Sequence, residues 1–340
     1  MLINLHLSFF EIKGTTAMRA IRVYTPGEPE VMKLEESAIR QPYADEVVVR
    51  NHAIGVNFTD VYTRNGAFSP LKRPFTPGKE AAGEVIAVGE KVTDFKVGDR
   101  VVFVETLGAY AEQSIVPEHF LIHLPDQISF ETAAASMLKG LTAQYLLRRT
   151  FRVEAGHTIL IHAAAGGVGT ILTQWAKYLG ATVIGTVSSD EKAAIAYQNG
   201  CDYVINYSKE DFAQRVNEIT QGERCHVVYD SIGKDTFEKS LDCLRPFGYF
   251  VSFGFSSGKI PPFDIMTLLE KGSLFATWPG LTLYLDKRED VISMSNEFFE
   301  VIANGGVKIA SPQKLSLSKV VEAHKRLEAR QTIGATVLIP

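Results

Sequence analysis

Cysteine is scarce in this 340-residue chain: Cys201, Cys225 and Cys243 are the only three. An odd count without metal-ligand spacing argues against a disulfide framework and against a cysteine-built zinc site; it suits a reducing cytoplasm. Long apolar runs are missing too, and no segment is long and apolar enough to cross a bilayer. The opening "MLINLHLSFF" has no positive region ahead of its apolar residues, and Asn4 and His6 interrupt it. A secretory signal is therefore not expected. Neither sign of charge dominates: 35 Lys and Arg face 39 Asp and Glu, a net charge of −4, with no block of like sign. This composition indicates neither nucleic acid nor an anionic membrane surface as a partner. The remainder is ordinary for a globular protein, 46% hydrophobic and 22% charged, with a length that has room for two domains.

Glycine is concentrated in one place. "HAAAGGVG" (162–169) holds three alanines and then three glycines in four positions. Glycine costs backbone entropy, about 0.5–1 kcal/mol relative to alanine inside a helix, so side chains are being kept away from something. Ahead of it, "HTILIHA" (157–163) reads as a short buried strand. Behind it, Val168, Ile171, Leu172, Trp175, Ala176 and Leu179 recur at helical spacing, and Gly180 supplies a stop. "ATVIGTV" (181–187) is a second strand. Strand, glycine turn, helix and strand make one βαβ unit of about 30 residues.

In that context Ala164, Gly166 and Gly169 take the three small positions of a G-x-G-x-x-G turn, with alanine in the first. The first makes the tight turn, the second admits a pyrophosphate to the backbone, and the third lets the helix pack on the strand. The N–H groups at the helix start then face the phosphates. Four more strands follow: "CDYVINY" (201–207), "CHVVYDSIG" (225–233), "FGYFVSFG" (247–254) and "GSLFATW" (272–278), with helical stretches between. Six alternating strands predict a doubly wound, parallel Rossmann domain over 141–281. The N-terminal part is valine-rich, strand-like and broken by glycine, without alternating helices, and after 281 come two helical stretches and a last strand. The two flanks, 18–140 and 282–340, are expected to combine into one catalytic domain, with the cofactor in the cleft between it and the Rossmann domain. Met18 opens a strand and a Pro-Gly turn, so 1–17 is expected to be an extension outside the fold.

The motifs "AIGVNFTDVYTRNG" (53–66), "PGKEAAGEVIAVG" (77–89), "LKGLTAQYLL" (138–147), "HAAAGGVG", "GTVSS", "VINY", "VVYDSIG" and "VSFGFSSG" follow one another in order. In them the chain resembles the zinc-free quinone oxidoreductase branch of the medium-chain dehydrogenase/reductase superfamily. The resemblance runs from Met18 to Pro340. It implies an α/β fold of a Rossmann doubly wound parallel sheet plus a GroES-like, mostly β catalytic domain, and an NADPH:quinone reductase. Zinc-dependent members of the superfamily take a catalytic cysteine where this chain has Asn57, and a histidine where it has Lys79 ahead of Glu80. Zinc needs a converging set of Cys, His or carboxylate ligands, and Lys79 brings a positive charge instead, so no metal is expected. A quinone accepts reducing equivalents without a Lewis acid on its oxygen, which fits a site without a strong acid–base motif.

The resemblance also implies site residues. Asn57, Asp60 and Tyr62 would line the cleft beside the nicotinamide, with Tyr62 as a hydrogen-bond donor to a quinone oxygen. Thr142 and Tyr145 would lie near the carboxamide. Gly167 and Val168 in the glycine turn, Ser231 in "VVYDSIG", and Phe253, Gly254 and Phe255 after the fifth strand would touch the cofactor. Arg330 matches a family arginine near it. Phe68 and Gln144 depart from the family pattern, which puts polar contacts to the substrate in doubt at Phe68.

The second strand itself speaks to cofactor choice. NAD-specific Rossmann domains end it with a carboxylate for the ribose hydroxyls. Here Val187, Ser188 and Ser189 stand there, and Asp190 and Glu191 read as the first turn of the next helix. By resemblance Lys192 reaches the 2′-phosphate of NADPH and Tyr207 lies beside the adenosine. The resemblance implies a homodimer paired through the edge of the last Rossmann strand. Two other functions remain open: NADPH-dependent reduction of an alkenal or enone double bond, and a crystallin-like NADPH-binding protein.

Overall fold

The computed structural model describes residues 16–68 and 71–340. Most of the extension expected over 1–17 lies outside them. Thr16 and Ala17 do not belong to it: they open β1 (Thr16–Val23) and pair with Ile39 and Ala38 of β2 (Met32–Ile39) in an antiparallel hairpin. β3 (Glu46–Gly55), β4 (Glu80–Val88), β5 (Arg100–Val104), β6 (Gln113–Pro117) and β7 (Leu121–His123) then build an antiparallel sheet, with α1 (Phe58–Asn65) between β3 and β4. α2 (Phe130–Gln144), continued by a wider π turn over Tyr145–Thr150, packs on β3 and β4 from one side and meets the next layer on the other. It runs through the 140/141 boundary expected from the sequence, so no linker separates the two parts at that point.

The short apolar runs in the middle of the sheet beyond α2 are strands because both of their faces are covered, which is what a parallel sheet requires. β8 (Thr158–Ile161), α3 (Gly167–Tyr178), β9 (Thr182–Val187), α4 (Asp190–Gln198), β10 (Tyr203–Asn206), α5 (Phe212–Ile219), β11 (Cys225–Asp230), α6 (Phe237–Asp242), β12 (Leu244–Ser252), α7 (Met266–Glu270) and β13 (Phe275–Thr277) alternate along the chain. The strands pair in parallel in the order β10-β9-β8-β11-β12-β13. This is the doubly wound Rossmann order. Its winding reverses between β8 and β11, and ligands of such sheets bind beyond the carboxyl ends of the strands at that point. The six strands read from the sequence are these six. Trp175 of α3 is buried against Phe298, which closes one face of the sheet.

After α8 (Leu281–Tyr284) and α9 (Arg288–Ala303) the chain returns to the first sheet. β14 (Gln313–Ser316) pairs with β15 (Thr336–Ile339), α10 (Val320–Glu328) lies between them, and Val337 of β15 pairs with Gly55 of β3. The C-terminal strand thereby completes the N-terminal sheet. This GroES-like sheet and the Rossmann sheet face each other across one cleft.

Candidate active site

The cleft holds a cavity of about 480 Å³ at the switch point. The glycine turn forms one wall. Ala163 after β8 takes φ 52°, so the strained residue of the turn is Ala163, not Ala164. Gly166 caps α3, and Gly166, Gly167, Val168 and Gly169 line the cavity. The first N–H groups of a helix have no partner within it, and here they start at the cavity wall. A Cβ on Gly169 would stand 2.2 Å from the Ala163 carbonyl oxygen and 2.9 Å from the Ala164 backbone, so the helix start is pressed against the turn. Ala164 itself is fully buried and does not line the cavity. It shapes the turn and offers no contact.

The carboxyl end of β9 is cationic. Ser188, Lys192, Tyr207 and Arg330 share the cavity wall. Lys192 Nζ donates to the Arg330 carbonyl at 2.8 Å, and burial, with the Arg330 charge beside it, holds its pKa below the usual lysine range. Asp190, the nearest acidic residue in sequence beyond the strand, is engaged by Asn206 at 2.9 Å and Lys209 at 2.6 Å. Ser189 does not line the cavity: it is the N-cap of α4, and its hydroxyl accepts the Lys192 N–H at 3.3 Å. Ser231, Phe253 and Gly254, beyond β11 and β12, complete this side.

On the opposite side stand Asn57, Tyr62, Phe68, Thr142 and Tyr145. Tyr62 stacks on Phe255, centroids 3.9 Å apart, and its oxygen accepts the Phe255 N–H at 2.9 Å. Phe255 is outside the lining and acts as a support for Tyr62 instead of a cofactor contact. Burial pushes the Tyr62 phenol up to about 12, so it keeps its proton and remains a donor at neutral pH. Tyr145 stacks on Tyr284, and Thr142 donates to the Leu138 carbonyl. Gln144 is buried away from the cavity and donates to Glu297. His162 is likewise internal, between Thr186 and Ser240 at 2.8 and 2.9 Å.

Asp60 departs most from expectation. It does not line the cavity but turns inward, fully buried, and its Oδ2 accepts the Asn57 N–H at the start of α1 and the Tyr110 hydroxyl, both at 2.9 Å. Behind it His324 lies 2.9 Å from the Tyr110 oxygen and 3.0 Å from Arg64, which also pairs with Glu328. Arginine can only donate, so His324 Nδ1 accepts, Nε2–H donates to Tyr110, and Tyr110 donates to Asp60. Burial beside the Arg64 charge pushes His324 down to about 3, which keeps it neutral in that chain.

Burial pushes the Asp60 carboxyl up to about 7 from its ordinary 3.8, against the pull of the Asn57 N–H and the Tyr110 hydroxyl. Between those values the folded chain holds more protons than the unfolded chain, so Asp60 lowers stability as pH rises from about 4 to 7. Asp60→Asn should remove that slope. At about 1.4 kcal/mol per unit, its stability relative to the parent should rise by up to about 4 kcal/mol over the same range. Denaturant titrations at several pH values check it, and a constant difference would contradict the inward, desolvated placement.

The sequence reading placed the charge of Lys79 in the site but missed Glu105 and Lys139. Lys79 and Glu105 line the cavity and pair at 3.1 Å, and Thr282 donates to Glu105 at 2.6 Å. Lys139 is 5% exposed, lines the cavity, and donates to Asn57 Oδ1 at 2.8 Å. Glu80 lies 3.6 Å from that ammonium and accepts from Asn57 Nδ2 at 2.7 Å and from the Leu138 N–H. A lone lysine within the apolar face of α2 was the available signal. Among the described residues no three His, Cys, Asp or Glu side chains converge. Where a zinc would be expected, this donor set presents two ammonium groups and an amide, and Glu80 is already occupied by donors. It does not fit the metal.

The fold and this cleft define a dinucleotide-dependent oxidoreductase of the medium-chain type. Residues 43–126 match the alcohol dehydrogenase GroES-like domain, and residues 167–296 match the zinc-binding dehydrogenase family. A quinone oxidoreductase of Pseudomonas aeruginosa is 51% identical over 92% of this chain and 97% of its own. The crystal structure of Escherichia coli quinone oxidoreductase complexed with NADPH superimposes with a TM-score of 0.93 at 46% identity, covering 95% of this chain and 100% of that one. A 2-haloacrylate reductase of a Burkholderia species is 45% identical over 94% of this chain and 98% of its own. The chain belongs to the zinc-free quinone oxidoreductase branch of the medium-chain dehydrogenase/reductase superfamily.

Proposed function

We propose that the protein is an NADPH-dependent quinone oxidoreductase that works without a metal. The observation that carries the reading is the end of β9. No carboxylate terminates it, and Ser188, Lys192 and Arg330 stand there on the wall of the same cavity as Tyr62 and Asn57. The α3 N-terminus would hold the pyrophosphate, Lys192 and Ser188 the 2′-phosphate, and Tyr207 the adenosine. Gly167, Val168, Ser231, Phe253, Gly254 and Arg330 would border the dinucleotide, with Thr142 and Tyr145 near its carboxamide. NADPH supplies the reducing equivalents at its nicotinamide. Asn57 and Tyr62 would hold the acceptor against it, Tyr62 by donating its hydroxyl hydrogen to the acceptor oxygen. Tyr62 and Phe68 would present an aromatic wall to that contact, with Phe255 stacked behind Tyr62.

A second reading, reduction of an activated C=C bond, is favoured by the 2-haloacrylate reductase among the relatives. A panel that compares 1,4-benzoquinones with 2-alkenals under saturating NADPH separates the two. Faster turnover of the quinones supports the first; alkenals turned over faster would favour the second.

No described helix is long and apolar enough to cross a membrane. We place the enzyme in the cytoplasm, because its three cysteines are buried and free. We also infer a homodimer. β13 is the outer strand of the Rossmann sheet and is exposed throughout; Phe275 within it, Trp278 just after it, and Ile265, Met266 and Leu269 shortly before it in the chain are each about half exposed or more. An uncovered apolar edge invites strand pairing. Light scattering at micromolar concentration should give twice the chain mass, and a monomer would contradict the interface.

A further inference from the structure

Lys139 is a charged side chain with little reason to be buried in a dehydrogenase fold unless its charge is used. Moving an ammonium out of water costs several kcal/mol even after relaxation, and its pairing with Glu80 repays that only in part. A hydrophobic pair of the same size would pack as well there. Three observations give the ammonium a direction. Lys139 lines the cavity, whereas its counter-ion Glu80 is fully buried behind the wall. Glu80 is held there by the Asn57 amide and the Leu138 N–H, so the pair is a fixed dipole with its positive end toward the cavity. Lys139 Nζ also bonds Asn57 Oδ1 at 2.8 Å, which places it at the residue expected beside the acceptor. Lys79, another lysine in the wall, differs: its partner Glu105 lines the cavity too, so that pair presents both signs.

Resting on the quinone reductase reading above, we propose that Lys139 is a catalytic residue, whose ammonium donates a hydrogen bond to the acceptor oxygen and stabilises the negative charge that collects there. As the acceptor takes up a hydride, one electron pair of its C=O or C=C system moves onto that oxygen. Lys139 keeps its proton and supplies only the field and the hydrogen bond. The proton that neutralises the oxygen afterwards comes from solvent water. A preorganised donor of this kind in a water-poor site does not have to reorganise at the moment of reaction. The Lys139–Glu80 pair thus stands in for a metal at the place where the donor set refuses one.

Lys139→Met alone would leave Glu80 buried and unpaired, so the test uses Lys139→Met combined with Glu80→Gln, which removes both charges and keeps an amide to bond Asn57. In the enzyme saturated with NADPH, kcat for a 1,4-benzoquinone should fall about a hundredfold, the size expected for one oxyanion donor. The NADPH dissociation constant should stay within about threefold. A binding arm needs no turnover. In the complex with NADP+, 4-nitrophenol should bind to the parent as the coloured phenolate at a pH where it is neutral in water, and to the double variant as the neutral phenol. A kcat within threefold of the parent, or the same ionic form of nitrophenol in both proteins, would reduce Lys139 to a structural counter-ion. Weaker NADPH binding with unchanged kcat would make it a phosphate anchor instead. Either result overturns the proposal. A parent that binds the phenolate but turns over no quinone would instead fault the function assigned above.

Discussion

Gly169→Ala should weaken NADPH binding by at least about a hundredfold and lower the melting temperature, although it adds a single methyl group to a helix. Propensity alone says the opposite: alanine is the better helix former by about 1 kcal/mol. The decision comes from distance. The new Cβ would lie 2.2 Å from the Ala163 carbonyl oxygen and 2.9 Å from the Ala164 carbonyl carbon and Cα, all of them backbone atoms that no rotamer change can clear. The helix start or the turn must move, and overpacking of this kind costs about 1–3 kcal/mol or more. The moved atoms are the N–H groups that would cradle the pyrophosphate, so the loss falls on the cofactor more than on the acceptor. Isothermal titration with NADPH and a thermal melt together check it. Unchanged affinity with a raised melting temperature would mean that the turn is not pressed against the helix.

Lys192→Ala should lower kcat/KM for NADPH about ten- to hundredfold and leave that for NADH within about twofold. A 2′-phosphate carries about −1.5 to −2 charges at neutral pH, and a hydrogen bond to a charged group contributes about 1.5–3 kcal/mol. Lys192 is held at the site by the Arg330 carbonyl and is partly desolvated, so its charge is less screened than that of a surface lysine. NADH lacks the phosphate and gains nothing from Lys192. Equal losses for both cofactors would show that the residue supports the fold and not the choice of cofactor.

The parts of the fold that are local were legible in the sequence. The inner Rossmann strands β8, β9 and β11 are continuous apolar runs because a parallel sheet buries both faces, and the glycine turn sits between its strand and helix within a dozen residues. The absent carboxylate after Val187 was equally local. Placements set by long-range contacts were not. Asp60 follows Asn57 at capping-box spacing, which was the signal for its inward turn, but its partners Tyr110 and, beyond it, His324 and Arg64 come together only in the fold. Phe255 supports Tyr62 across 193 positions of chain. Lys139 meets Asn57 across 82, and no periodicity shows that its ammonium faces a cavity. Thr16 and Ala17 are strand residues because Ala38 and Ile39 are there to pair with them, which composition does not reveal.

On this reading the cleft takes NADPH and delivers its reducing equivalents to a quinone without a metal. The most direct measurement is the initial rate at which a 1,4-benzoquinone oxidises NADPH, followed by the absorbance of the reduced nicotinamide in chelator-treated enzyme and repeated with NADH. One quinone consumed per NADPH, at an undiminished rate after chelation and with kcat/KM at least about tenfold above that for NADH, is the predicted result. NADPH oxidation that the quinone does not stimulate, or a preference for NADH, would contradict it.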